Sequence, residues 1–222
     1  MSFQILGTGS FLPEKVITNE ELSKMVDTSD EWITKRVGVK ERHVCTTESN
    51  TDMAAEAAAR ALESAGVDAP ELDLIIGTSV SADSISPGLA SMVQKRLGAK
   101  CPAFDINAAC PGFLFGLEIA AGFFSRDTVK KVLVVSSERM SGLIDWTDRS
   151  TCCIFGDGAG AVVLGVGDSY LASELHTQGG DDVIDIPTGW NNSPFYQVEQ
   201  KKNCVFMKGQ DTNLDQIYEK FG

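Results

Sequence analysis

The stretch FDINAACPGFLFGLEIA, residues 104 to 120, sets one cysteine, Cys110, between a β-prone run and an apolar helix. A strand that ends in small residues and passes at once into a helix puts the helix mouth at the carboxyl end of a sheet. Open α/β sheets bind their ligands at that end. Unpaired backbone N–H groups and the positive end of the helix dipole favour a thiolate there, the form in which a cysteine acts as a nucleophile. Asn107, Ala108 and Ala109 leave room around the sulfur, and Pro111 suits a first helical turn. The segment FLFGLEIAAGFF is apolar almost all round, which predicts a central, buried helix. The same pattern fits a small apolar core cysteine equally well. A cysteine nucleophile also needs a base, and neither His43 nor His176 stands near Cys110 in sequence. Spacing alone leaves both readings open.

The other candidates for chemistry are fewer. The six cysteines stand at 45, 101, 110, 152, 153 and 204, with no CxxC pair, so metal-ligand spacing is missing and no metal is expected. Disulfides are not expected, and most of these thiols should be buried apolar groups. Lys35, Arg36, Lys40 and Arg42 form a basic cluster that could meet an anionic ligand or simply solvate a helix end. The formal net charge of −12 argues against nucleic acid, which needs a basic face, and gives no reason to expect a membrane surface. There is no run of 18 apolar residues, and MSFQILGTGSFLPEK lacks the features of a signal peptide, so a cytoplasmic location is expected.

The elements that must position these residues alternate between short β-rich runs and amphipathic helices, an α/β pattern. Strands are expected at Phe3–Leu12, 72–80, 102–106, 131–138 and 158–166, with a further strand over 169–177 closing a hairpin at Gly167 and Asp168. Thr18 before NEEL is a capping-box signal. Helices follow from Ser29 to Gly38, from Thr51 to Ala65, over 88–97, and from Cys110 to near Ser125. After residue 178 the texture turns polar and aperiodic. A long loop, a strand over Cys204–Met207 and a helix over Leu214–Phe221 are expected there, with a domain boundary between 170 and 180.

The residues are similar to a known family. "ILGTGSFLPE", "MVDTSDEWITKRVGVKERH", "FDINAACPGF" and "DWTDRSTCCIFGDGAGAVVLG" resemble, in register from residue 4 to about 167, the N-terminal half of β-ketoacyl-acyl carrier protein synthase III, of the thiolase superfamily. The resemblance implies an α/β fold, a thiolase-like αβαβα sandwich with residues 1–172 as an essentially complete first half. Residues 173–222 would begin a truncated second half. It implies a homodimer that uses acyl-CoA and malonyl-acyl carrier protein, with coenzyme A as part of the substrate and no resident cofactor. Cys110 matches the nucleophile that accepts an acyl group as a thioester, its own N–H forming half of an oxyanion hole. Trp32 and Arg36 match residues that hold the adenine end of coenzyme A, and their i, i+4 spacing puts indole and guanidinium on one helix face. Arg149 matches a further arginine at the coenzyme A mouth. Ser86 stands where some relatives carry a bulky aromatic, which implies room for longer or branched acyl groups.

Gly156, Asp157 and Gly158 lack the lysine of a P-loop and the GxGxxG order. They read as a turn beside the active site that leads into a tightly packed strand. Asp157 is expected to organise that turn rather than to transfer protons. Two features depart from the family pattern: neither His43 nor His176 matches the histidine that works with an asparagine in decarboxylation, and the chain stops soon after VFMKGQ. Three functions compete on this basis. They are a synthase III-type acyltransferase, a non-catalytic paralogue that binds coenzyme A or an intact synthase, and another thiolase-fold enzyme of the hydroxymethylglutaryl-CoA synthase kind. The pattern "DEWITKR" with "DWTDR" favours the first.

Overall fold

In the computed structural model, residues 2–180, 184–188, 195 and 204–207 are described. In chain order the elements are β1 (Ser2–Phe11), β2 (Lys15–Thr18), α1 (Asn19–Leu22), α2 (Asp30–Val37), β3 (Glu41–Val44), α3 (Asn50–Ala65), β4 (Leu74–Thr78), α4 (Leu89–Leu97), β5 (Ala103–Ile106), α5 (Gly112–Ser125), β6 (Lys131–Arg139), α6 (Arg149–Cys152), β7 (Asp157–Gly167), β8 (Ile184–Asp185) and β9 (Phe206–Met207). They fall into two compact units, residues 1–15, 43–139 and 157–176 in the first and residues 16–42, 140–156 and 177–222 in the second.

The first unit is a five-stranded mixed sheet in the order β1-β7-β6-β4-β5. β4 runs parallel to β5 and β6, while β7 is antiparallel to β1 and β6. Period-2 alternation sorts its side chains onto two faces. Ile75, Leu133, Val135 and Val163 join the core of α3 and α4, and Ile76, Val132, Val134 and Leu164 join that of Ala120 and Phe124 on α5. Strands covered on both faces read as continuous apolar runs, which is why LDLIIGTSV and KVLVVSSE were legible.

On the α3 face the approach is closer than side chains would allow. A Cβ on Gly9 would lie 2.2 Å from the Ala57 carbonyl oxygen, and one on Gly7 2.3 Å from the Ala65 nitrogen. The alanine-rich helix therefore seats its backbone directly on β1. Ser49 and Asp52 form a capping box at its start, and Gly66 ends it in the left-handed region at φ 63°.

In the second unit α2 begins at the Ser29 cap and ends at Gly38, and Ile33 is fully buried beneath it. α1 carries the Thr18–Glu21 capping box. β8 and β9 form a short antiparallel pair.

Three expectations change. Residues 169–177 are not a strand, because β1 and β6 already occupy both edges of β7 and leave no edge for a hairpin partner. Two hydrogen bonds, from the Tyr170 N–H to the Phe3 carbonyl and from the Ser2 hydroxyl to the Tyr170 carbonyl, carry the contact past the end of β7, and Tyr170 stacks on Phe3 at 4.8 Å. α5 is not buried all round: its buried residues are Gly112, Gly116, Ala120 and Phe124, one stripe at every fourth position, and Leu114 is 57% exposed. Within the strand expected over Cys204–Met207, only Phe206 and Met207 are strand; the helix expected over Leu214–Phe221 lies outside the described residues. Among the described residues no helix is long and apolar enough to cross a membrane.

Because the obstruction at Gly9 is helix backbone and cannot rotate away, Gly9→Ala should cost about 3 kcal/mol in urea denaturation. Gly160→Ala, where a Cβ meets nothing within 4 Å, should stay within about 0.5 kcal/mol.

Candidate active site

β5 delivers its last residues to the carboxyl edge of the parallel pair β4–β5, and the chain turns there before α5 begins. Ala109 takes φ 48°, a left-handed conformation uncommon for a residue with a Cβ. The Asn107 side-chain oxygen accepts from the Ala109 N–H at 3.3 Å, and the Ala109 carbonyl accepts from the Gly112 N–H at 2.9 Å. Cys110 sits in the turn between them. Pro111 is the N-cap of α5 rather than its first helical residue, so the helix opens just beyond the cysteine. Of the six cysteines Cys110 alone is exposed. Its sulfur lies at the mouth of a 14-residue helix whose first N–H groups have no partner within the helix. That end of the dipole favours negative charge developing on a nearby oxygen.

Small residues bring α5 down to the sheet. A Cβ on Gly112 would meet the Thr78 hydroxyl oxygen at 2.1 Å, and one on Gly116 would meet Val134 at 2.9 Å. Asp105 on β5 reaches sideways to α4: its carboxylate accepts from the Ala90 N–H at 2.6 Å and leaves no room for a Cβ on Gly88. Gly88, the N-cap of α4, has no side chain of its own to do this. The segment before it carries Ser86, which is exposed.

A second carboxylate plays the same part for α3. Asp83 accepts from the Asn50 and Thr51 N–H groups at 3.0 and 2.8 Å. Burial alone would raise its pKa, but those donors, with the Thr51 hydroxyl and the charge of Arg139, hold it below the ordinary aspartate value. Glu138, at the end of β6, accepts from the Val80 N–H at 2.9 Å and from the Ser81 hydroxyl. Burial raises its pKa despite the hydrogen bonds from Ser81, Val80 and Ser79. These carboxylates were missed in sequence. A polar residue inside an apolar strand, as Asp105 is in AFDI, was the one available signal.

In the second unit Trp32, Arg36 and Arg149 come together. The Arg36 guanidinium carbon lies 4.5 Å from the centre of the Trp32 ring, and that of Arg149 lies 5.1 Å from it. Arg149 also donates to the Asp27 carbonyl at 3.0 Å. The basic cluster does not form one patch. Lys40 pairs with Asp30 at 3.1 Å, and Arg42 is only 4% exposed, donating to the Ile17 carbonyl, the Asn19 side chain and the Cys153 carbonyl.

Asp157, at the start of β7, is buried and accepts from the Cys45 N–H at 2.7 Å. Gly158 brings its backbone against Leu12, where a Cβ would lie 3.0 Å away; Gly156 immediately precedes the strand. The histidines are engaged elsewhere, His43 with the Pro13 carbonyl at 2.5 Å and His176 with Glu174 at 2.9 Å. Among the described residues no group of three metal-ligating side chains occurs.

Comparison with known proteins gives this arrangement its context. A family model for 3-oxoacyl-[acyl-carrier-protein (ACP)] synthase III matches residues 104–179, the segment from β5 past the end of β7. The chain is 51% identical over 198 residues to the β-ketoacyl-[acyl-carrier-protein] synthase III of Clostridium acetobutylicum, covering 87% of this chain and 61% of that one. Its fold resembles the crystal structure of 3-oxoacyl-[acyl-carrier-protein] synthase III from Aquifex aeolicus VF5, with a TM-score of 0.74 and 49% identity over 75% of this chain and 55% of that one. It also resembles the synthase III of Thermus thermophilus, with a TM-score of 0.77 and 30% identity over 97% of this chain and 67% of that one. The fold is that of the thiolase-like condensing enzymes. The chain belongs to the β-ketoacyl-acyl carrier protein synthase III family, and it spans less than two thirds of the length of the first curated relatives it matches.

The depressed Asp83 carboxylate stabilises the fold above the ordinary aspartate range, and that contribution is lost as pH falls below about 4. Asp83→Ala should therefore lower stability by about 1 kcal/mol in urea titrations near pH 7. The gap between wild type and variant should narrow near pH 3.

Proposed function

We propose that this chain carries the acyl-accepting centre of a β-ketoacyl-acyl carrier protein synthase III, which starts fatty acid or polyketide synthesis. The observation that carries the reading is the exposed thiol of Cys110 at the mouth of α5, within a segment that matches the family model. In this mechanism the Cys110 sulfur attacks the carbonyl carbon of acyl-CoA. The carbonyl oxygen becomes an oxyanion beside the Cys110 N–H and the positive end of α5. Collapse of the tetrahedral intermediate breaks the bond to the coenzyme A sulfur, which leaves as a thiolate, and the acyl group stays on Cys110. Malonyl-acyl carrier protein then loses carbon dioxide, and its carbanion displaces the acyl group to give a β-ketoacyl thioester. The family's histidine and asparagine for that second step match no residue of this chain. Cys110 serves the first half-reaction.

Trp32, Arg36 and Arg149 are proposed to hold the adenine end of coenzyme A, the indole by stacking and the guanidinium groups by stacking and charge. No resident cofactor is required, because the thioester is itself the substrate. A small residue at Ser86 leaves room for a longer or branched acyl chain. A cytoplasmic location suits this substrate pair.

A homodimer is proposed through the free edge of β5. That strand is one of the two outer strands of the sheet, and unpaired edges invite a second strand. Partly buried Phe104 and Ile106 and exposed Leu114 lie on or beside it and would be covered. Sedimentation of the chain should give a dimer, and Leu114→Glu should shift it to monomer by about tenfold in dissociation constant.

Incubated with radiolabelled acetyl-CoA, the chain should retain label through denaturation, whereas Cys110→Ala should retain none. Label on the alanine variant would refute the assignment. Trp32→Ala and Arg149→Met should each weaken coenzyme A binding about tenfold in calorimetry, with Cys110 untouched.

A further inference from the structure

Two thiols in the second unit have no part in that mechanism. Cys152, the last residue of α6, is fully buried, and its neighbour Cys153 is 1% exposed. The Cys153 sulfur lies 3.9 Å from the Thr28 hydroxyl oxygen. The Cys153 carbonyl accepts from the buried Arg42 guanidinium at 3.3 Å, and the Nε of that same guanidinium has no hydrogen-bond partner. A buried cation therefore stands beside the pair with an unspent donor. Arg149, the first residue of the one-turn helix that Cys152 ends, lies against the Trp32 ring.

We propose that Cys152 and Cys153 are an oxidisable thiol pair, converted by a hydroperoxide into a vicinal disulfide that unwinds α6 and lifts Arg149 off the Trp32 indole. The environment divides the roles of the two sulfurs. Hydrogen bonding from Cys152 holds the Cys153 thiol below its ordinary pKa against the effect of burial, helped by Thr28 and Arg42, while Cys152 is pushed up. In the first step the Cys153 thiolate attacks one oxygen of the peroxide. An S–O bond forms, the O–O bond breaks, and hydroxide leaves to become water. The sulfur is oxidised to a sulfenic acid and the peroxide is reduced. In the second step the Cys152 sulfur attacks that of Cys153, the S–S bond forms, the S–O bond breaks, and a second water departs with the Cys152 proton. Two thiols and one hydrogen peroxide thus give one disulfide and two waters.

The coupling to Arg149 follows from geometry. Neighbouring side chains on a helix point in different directions, so they cannot be joined without changing the backbone between them. Consecutive Cα atoms stand ~3.8 Å apart, short of the usual disulfide span, which makes the ring strained and readily reduced. α6 is a single turn and yields at low cost, and its local opening also admits a peroxide to buried sulfur.

The test uses the whole chain. Digestion after Arg149 and Lys201 gives a peptide in which Cys152 and Cys153 are the only cysteines. After hydrogen peroxide and alkylation under denaturing conditions, this peptide should lack two hydrogens and carry no alkyl group. Dithiothreitol should restore both sites of alkylation. In the folded protein, limited trypsin cleavage of the Arg149–Ser150 bond should speed up about tenfold on oxidation and slow again on reduction. Cys152→Ala should show neither the disulfide nor the acceleration. Both thiols alkylated after peroxide would overturn the proposal, as would a disulfide that leaves cleavage at Arg149 unchanged. These readouts need neither coenzyme A nor condensation, so they stand or fall apart from the function proposed above.

Discussion

The first unit depends on a close approach of helices to the sheet at residues that have no side chain. α3 lies on β1 through Gly7 and Gly9, and α5 lies on β4 and β6 through Gly112 and Gly116. The first pair meets helix backbone and the second meets buried β-branched side chains of the sheet; both are short and intolerant of added atoms, so they fix how far each helix stands from the strands. For α5 that distance matters chemically. With Gly112 pressed on Thr78, the turn from Asn107 to Pro111 must rise sharply from the end of β5. Ala109 takes the left-handed conformation that this path requires, and Cys110 is lifted clear of the core.

Carboxylates then tie the surrounding segments to this frame. Asp105 and Asp83 lie outside the helices they cap; Asp105 accepts the Ala90 N–H at the start of α4, and Asp83 accepts the Asn50 and Thr51 N–H groups at the start of α3. A cap supplied from another element contributes as a local one does, and it also fixes the position of the strand or loop that carries it. Asp105 does this from the strand that leads to Cys110, so the start of α4 and the approach to the thiol share one anchor. Glu138 holds Ser79, Val80 and Ser81 at the end of β4. The carboxyl end of the sheet is therefore bound by polar contacts, while its middle is apolar on both faces.

Much of this could be read from residues alone, for physical reasons. Helix ends are written locally: Ser29 with Gly38 and Ser49 with Asp52 and Gly66 each satisfy or terminate the helix next to them, so no long-range information is needed. Central strands are legible for a similar reason, since burial on both faces leaves an unbroken apolar run. What failed needed knowledge of neighbours. SYLASELHT alternates well enough for a strand, but β7 had no free edge to offer it. FLFGLEIAAGFF is apolar almost all round, yet only the stripe of small residues that lets α5 approach the sheet, together with Phe124, is fully buried; Phe113, Leu117, Ile119 and Phe123 are partly buried against the core, and Leu114 is exposed. Arg42 looked like one of four surface cations and is instead a buried guanidinium spanning three segments. At the candidate site, the meeting of Trp32 and Arg36 was implied by i, i+4 spacing, whereas the approach of Arg149 from far along the chain was implied only by family likeness.

The same logic of environment sorts the chain's thiols, which sequence spacing could not do. Cys45 is half-buried beside Asp157, and burial with that negative charge pushes its thiol up to about 12, which removes the thiolate at neutral pH. Cys101 is buried against the apolar core and is raised mainly by the same loss of solvent. Cys152 and Cys153 differ because they have each other, and a buried guanidinium stands beside them. Cys110 is exposed, and it stands where a helix presents its positive end. Identical side chains thus receive three different chemistries from the fold. The exposed one is the thiol proposed to carry the thioester, the adjacent pair the one proposed to oxidise, and Cys45 and Cys101 are held as thiols by loss of solvent.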